Sequence, residues 1–129
     1  MGSPGGKYIK ERVIGGLHGD KLLLSNGRGF TLVGLSEIVI LRARSNYTLI
    51  RFTGNDTVLR SRPLKHYEDL LCGHGFCRIS RSALVNLAHI RNYINHELTL
   101  SENIREEVSP GRLKTLMEKL YGMSTVPGD

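Results

Sequence analysis

Two cysteines in 129 residues are too few for a disulfide framework, so a reducing, cytoplasmic setting is the expectation. No stretch approaches the roughly 20 apolar residues of a membrane-spanning helix, and no charged-then-apolar leader opens the chain. Internal repeats, heptads and low-complexity tracts are missing as well. So are the frames that enzymes use. No nucleophile-elbow glycines surround any serine, and Gly27-Arg-Gly29 lacks the Lys-Ser/Thr pair of a phosphate-cradling loop. The carboxylates are scattered. His66, Cys72, His74 and Cys77 are ligand types within twelve residues, but their spacing matches no common zinc knuckle. Neither catalysis nor a metal or other cofactor is expected; Cys77 reads as a small core residue.

What the chain has in quantity is positive charge, unevenly placed. The formal net charge is +6. From Arg42 to Arg91 stand nine cations, eight of them arginine, against Asp56, Glu68 and Asp69; the remainder of the chain is neutral. Arginine outnumbers lysine 12 to 6. A solvated basic face needs no such bias, whereas bidentate recognition of phosphate or guanine does. Hydrophobic residues make up 40% of the chain, enough for the core of one domain.

The periodicity predicts short strands. Met1–Gly6 reads as a linker end or engineered leader, and residues 7–20 as linker or a short leading strand. Lys21–Ser25, Gly29–Val33, Ile38–Arg44, Tyr47–Thr53 and Thr57–Ser61 read as strands separated by Asn26-Gly27, Ser45-Asn46 and Gly54-Asn55-Asp56. Pro63 is expected at the first position of a helix carrying Leu64, Tyr67, Leu70 and Leu71 on one stripe. Residues 76–81 make another strand, followed by the compact apolar run 84–89. A second hairpin is expected over 91–100 and an edge strand over 104–108. A last helix opens at Ser109-Pro110, with Leu113, Leu116, Met117 and Leu120 inward. The expected fold is mainly β, about ten short strands with two short helices, with a linker over 1–20, a domain over 21–121 and a flexible tail over 122–129. The two helices are separated by several strands, so a helix-turn-helix reader is excluded.

Polar donors cluster at three strand or helix ends. They are Arg44-Ser-Asn-Tyr-Thr48, Ser80-Arg81-Ser82, and Ser109-Pro-Gly-Arg112 with Lys114 beyond. Taken singly each reads as ordinary surface: Tyr47 a strand-end aromatic, Ser109 a plain N-cap. Together, in a basic domain, they form a three-point footprint for an anionic polymer, the helix opening at Ser109 offering free N–H groups to a phosphate.

Five blocks in this order resemble the LytTR family of bacterial DNA-binding domains. They are Leu35-Ser-Glu-Ile38, Arg44-Ser-Asn-Tyr-Thr48, Leu64-Lys-His-Tyr-Glu-Asp-Leu-Leu71, Phe76-Cys-Arg-Ile-Ser-Arg-Ser-Ala-Leu-Val-Asn86 with Ile90, and Val108-Ser109. The resemblance spans about Lys21 to Leu120. It implies an elongated, β-sandwich-like domain whose loops enter successive major grooves of double-stranded DNA. It also implies the output end of a two-component response regulator, bound as a dimer to direct repeats and preceded by a receiver domain. Carried over by position, Asn46, Tyr47, Arg81 and Arg112 would contact bases. Arg44, Thr48, Arg78, Ser80, Ser82, Ser109 and Lys114 would contact phosphate. Relatives usually place arginine straight after Val-Ser; here Pro110-Gly111 intervenes, and Arg112 would act from a shifted place. That departure leaves a second reading open: a module of the same fold that acts through contacts with another regulator protein.

Overall fold

The structure, a computed structural model, describes residues 16–122. The leader expected over residues 1–6, the expected linker as far as residue 15 and residues 123–129 of the expected tail lie outside the described residues, whereas Gly122, expected in that tail, ends the last helix. Those described form eleven strands in three antiparallel sheets with two α-helices, so the mainly-β expectation holds. The strand beyond the expected ten is Leu17–His18, in the stretch read as linker or leading strand. The chain divides into two compact units, at residues 37 and 38.

The first unit is a meander of β1 (Leu17–His18), β2 (Lys21–Ser25) and β3 (Phe30–Gly34). Asn26-Gly27 does start its hairpin turn, but not with both residues at positive φ. Only Gly27 adopts it, at 88°. Asn26 works through its side chain instead, Oδ1 accepting from the amides of Arg28 and Gly29 at 3.0 and 3.1 Å. The loop is therefore four residues long, closed by the Ser25–Phe30 pair.

The second unit is built on a five-stranded sheet. Its strands are β4 (Ile38–Arg44), β5 (Tyr47–Phe52), β6 (Thr57–Arg60), β7 (Phe76–Ser80) and β8 (Ala83–Asn86), in the order β6-β5-β4-β8-β7. A three-stranded sheet holds β9 (Ile90–Ile94), β10 (Glu97–Leu100) and β11 (Arg105–Glu107), ordered β11-β10-β9. One face of the large sheet contributes Ile40, Cys77, Ile79, Ala83 and Val85 to a core shared with Leu98 and Leu100 of β10 and with Leu116 of α2 (Leu113–Gly122). The other face is covered by α1 (Leu64–Leu71), which packs on β7, β4 and β8 with Leu64, Tyr67 and Leu71 buried. Because both faces are covered, β7 buries Phe76 and Cys77 alike, and the simple in-and-out alternation of an exposed strand fails there.

Two helix openings differ from expectation. Pro63 is the residue before α1, extended at φ −70° and ψ 160°, and the helix starts at Leu64. Pro110–Arg112 forms a separate 3-10 turn ahead of α2. Two turns at the end of the large sheet away from Ser45-Asn46, 53–55 and 101–103, are tied together by the Glu102 carboxylate, which accepts the Gly54 amide at 2.7 Å. Asn86, buried among apolar neighbours, stands with its Nδ2 donating to the Ile38 carbonyl and its Oδ1 accepting from Ala88, so its polar atoms are matched.

Candidate functional site

The strand register brings the three donor clusters to one end of the large sheet. β4 and β5 close at the pair Arg44–Tyr47, leaving Ser45 and Asn46 as the turn, with Ser45 at φ 56°. β8 runs antiparallel to β4 with Ala83 opposite Arg42, so the turn between β7 and β8 emerges at the same end. The Ala43 amide donates to the Ser82 carbonyl at 2.9 Å, which locks the two tips side by side. The third segment follows β11: the Ser109 amide donates to the Ile79 carbonyl at 2.8 Å, one residue short of Ser80. Three stretches far apart in sequence thus converge through backbone hydrogen bonds.

Exposure divides the candidates. Arg44, Asn46, Arg81, Ser82 and Lys114 are exposed, and Tyr47 keeps 46% of its surface. Ser80, Ser109 and Arg112 are half-buried. Arg81 makes no ion pair among the described residues. Ser80 and Ser82 lean on each other: the Ser82 amide donates to Ser80 Oγ at 3.1 Å, with the two hydroxyls 3.4 Å apart. The 3-10 turn occupies the amides of Arg112 and Leu113 with the carbonyls of Ser109 and Pro110, so the opening of α2 offers an anion fewer free N–H groups than expected.

Two expected phosphate contacts do other work. Thr48 is fully buried and its Oγ1 donates to the Arg62 carbonyl at 2.7 Å, leaving no donor for a ligand. It shares parity with Ile50 and Phe52, so the alternation of β5 already pointed it inward. Arg78 is committed internally. Its Nη1 reaches Glu68 Oε1 at 2.7 Å, its Nε the Ser80 carbonyl at 2.8 Å, and its Nη2 the Arg81 carbonyl. Arg42 is likewise held by Glu106 of β11 at 2.8 Å, and also donates to the Arg105 carbonyl. Thr48→Val is expected to lower stability by about 1 kcal/mol, because it removes the hydrogen bond from the buried Thr48 hydroxyl to the Arg62 carbonyl. Urea unfolding checks this, and Thr48→Ser, which keeps the hydroxyl, should lose less.

Arg60 and Arg62 were not foreseen. Arg60 pairs with Thr48 across β5 and β6, and Arg62 follows at the same end, exposed. Their charges oppose the effect of burial, which raises the Tyr67 phenol above its ordinary pKa. Burial also raises the Cys77 thiol, against the charges of Lys119 and Arg112, so it stays protonated at neutral pH. His66, Cys72, His74 and Cys77 do not assemble into a ligand cluster, nor does any other group of three such residues among those described.

The sequence profile of the LytTr DNA-binding domain matches residues 28–121. Among solved structures, the chain resembles the LytTr DNA-binding domain of a Bacillus cereus protein described as a methyl-accepting/DNA response regulator. The TM-score is 0.66 at 24% identity, covering 80% of this chain and 98% of that one. No curated protein sequence matches.

Proposed function

Given that the chain belongs to the LytTR family of DNA-binding domains, we propose that it binds double-stranded DNA sequence-specifically through the end of the five-stranded sheet. The observation that carries this reading is the convergence of three separate donor segments there, with Arg81 exposed while nearby Arg42 and Arg78 are held by carboxylates. Arg81 presents a forked donor set suited to guanine O6 and N7. Tyr47 and Asn46 read from the adjacent tip, and Arg112 from the turn before α2. Arg44, Ser80, Ser82, Ser109 and Lys114 position the duplex through its phosphates, joined by Arg62. The chain would serve as the cytoplasmic output domain of a response regulator, following a receiver domain and binding direct repeats as a dimer.

A second reading has one feature in its favour. Pro110-Gly111 occupies the place of an arginine usual in relatives, and Arg112 is half-buried; a surface with a weakened third contact suits a module that acts on another regulator protein. Selection of random duplexes by the purified chain at moderate salt separates the two. An enriched repeated motif is the result expected, and flat enrichment refutes sequence reading. Within that assay, Arg81→Ala should cost about 1–3 kcal/mol and relax the preference at one position. Lys114→Ala should weaken all duplexes alike and reduce the salt slope by about one. Equal, sequence-blind losses from both would remove the division of roles.

A further inference from the structure

We infer that Glu68 of α1 is a positioning residue for base discrimination, acting through Arg78 on the turn that presents Arg81. The inference rests on the reading of that turn as a DNA contact. The β7–β8 register slips between Arg78 and Ser80, so the regular ladder is broken just before the two-residue turn Arg81-Ser82. The Arg78 guanidinium supplies what the ladder does not: two of its N–H groups donate to the Ser80 and Arg81 carbonyls on the approach to the turn and within it. A guanidinium on a flexible stem would not hold two carbonyls alone. Glu68 fixes its third nitrogen at 2.7 Å, with the two side chains only 14% and 23% exposed, where a charge-assisted bond is little screened. Glu68 is in turn fixed by its helix, anchored on either side by buried Leu64, Tyr67 and Leu71. The chain of restraint runs from core to α1, to Glu68, to Arg78, to the backbone that carries Arg81.

A reader held in place loses less freedom on binding, and most of that advantage goes to the duplex that matches its geometry. The charged phosphate contacts, Arg44, Arg62 and Lys114, do not pass through this restraint; the uncharged Ser80 and Ser82 do. Glu68 therefore acts chiefly on the ratio of specific to non-specific binding and leaves the charge-driven share of the non-specific part alone.

The test uses the full chain, the duplex enriched by the wild type and a scrambled duplex of equal composition. Glu68→Gln keeps the shape and removes the charge. It is expected to cut the discrimination ratio by about tenfold, within the worth of one bidentate contact, while affinity for the scrambled duplex changes by less than about threefold, the loosening of Ser80 and Ser82, and its salt slope by less than about one. Amide hydrogen exchange at Arg81 and Ser82 should quicken while that at Ser45 and Asn46 does not. In an Arg81→Ala background, Glu68→Gln should lower the ratio no further, a non-additivity that a general loss of stability would not produce. Glu68→Asp, which restores the charge, should recover part of the ratio. An unchanged ratio in Glu68→Gln, or an equal drop with and without Arg81, overturns the inference while the DNA reading stands. A wild type without preference overturns both, and an Arg81→Ala variant that discriminates like a selective wild type overturns the inference together with the role of Arg81 as a reader; either is visible before Glu68 is touched.

Discussion

Raising salt from about 50 to about 200 mM is expected to weaken binding to any duplex by about two orders of magnitude, and no more. The formal charge suggests a steeper dependence. Of the nine cations between Arg42 and Arg91, however, Arg42 and Arg78 are held by Glu106 and Glu68, and Lys65 pairs with Asp69. Arg51 and Arg91 do not lie at the sheet end: Arg51 bonds Asn55 beside the far turn, and Arg91 is on β9. With Arg81 and Arg112 assigned to bases, the cations left for phosphate are Arg44, Arg62 and Lys114, with half-buried Arg60 a fourth. Three or four phosphates give a log–log slope of about −3 to −4, since each contributes about −0.9. Fluorescence-anisotropy titrations at four or five salt concentrations measure it directly. A slope steeper than about −6 would mean that Arg42 and Arg78 leave their carboxylates when DNA arrives, and the internal clamps would then be features of the free protein only.

Leu98→Ala is expected to cost about 3–4 kcal/mol, near the middle of the range for a buried leucine reduced to its Cβ. Leu98 is fully buried on β10, in the core between the two sheets with Ile40, Val85 and Leu116. Against the total stability of about 5–15 kcal/mol usual for a domain, that loss is large, and a fall in melting temperature of at least about 10 °C should accompany it. The effect reaches the site because β10 pairs with β11, which supplies Glu106 to Arg42 and leads into Ser109. Leu98→Met, nearly volume-conserving, should cost less than about 1.5 kcal/mol. Thermal unfolding of the two variants settles the comparison; similar losses would point to shape, not lost volume, as the cause.

Local pattern carried most of the fold. The alternation of Tyr47–Phe52, the turn residues at Ser45-Asn46, and the apolar stripes of both helices each depend on neighbours within one turn or one pleat; strand and turn stand where they are expected, and of the stripes Leu64, Tyr67, Leu71 and Leu116 are buried, Leu113 and Leu120 pack on the core in part, and Leu70 and Met117 are only half-buried. The three-point footprint is an expectation drawn from polar clusters in a basic domain, and the family resemblance adds the loops that carry it; the pairings that bring the clusters together, such as Ser109 to Ile79, are recorded in no local pattern. Errors arose where a distant partner decides the outcome. Arg78 does turn away from Ile79, as its parity required, but the face it turns to is covered by α1, and Glu68 waits there. Arg42 and Glu106 are sixty-four residues apart, beyond any periodicity. Thr48 is the exception, since the parity of its own strand held the answer.

The shortness of the Arg81-Ser82 turn bears on how this surface could change over generations. With only two residues between paired strands, an added residue has to be taken up by a longer loop or by a second bulge beside the one already present between Arg78 and Ser80, and either moves position 81 relative to the Arg78 guanidinium that holds its carbonyl. Lengthening this tip therefore disturbs the clamp beneath the reader together with the loop. Swapping one side chain for another at position 81 is open, because the backbone beneath is held from the opposite face of the sheet. Descendants of this chain would thus diverge in what they prefer letter by letter, on an unaltered frame.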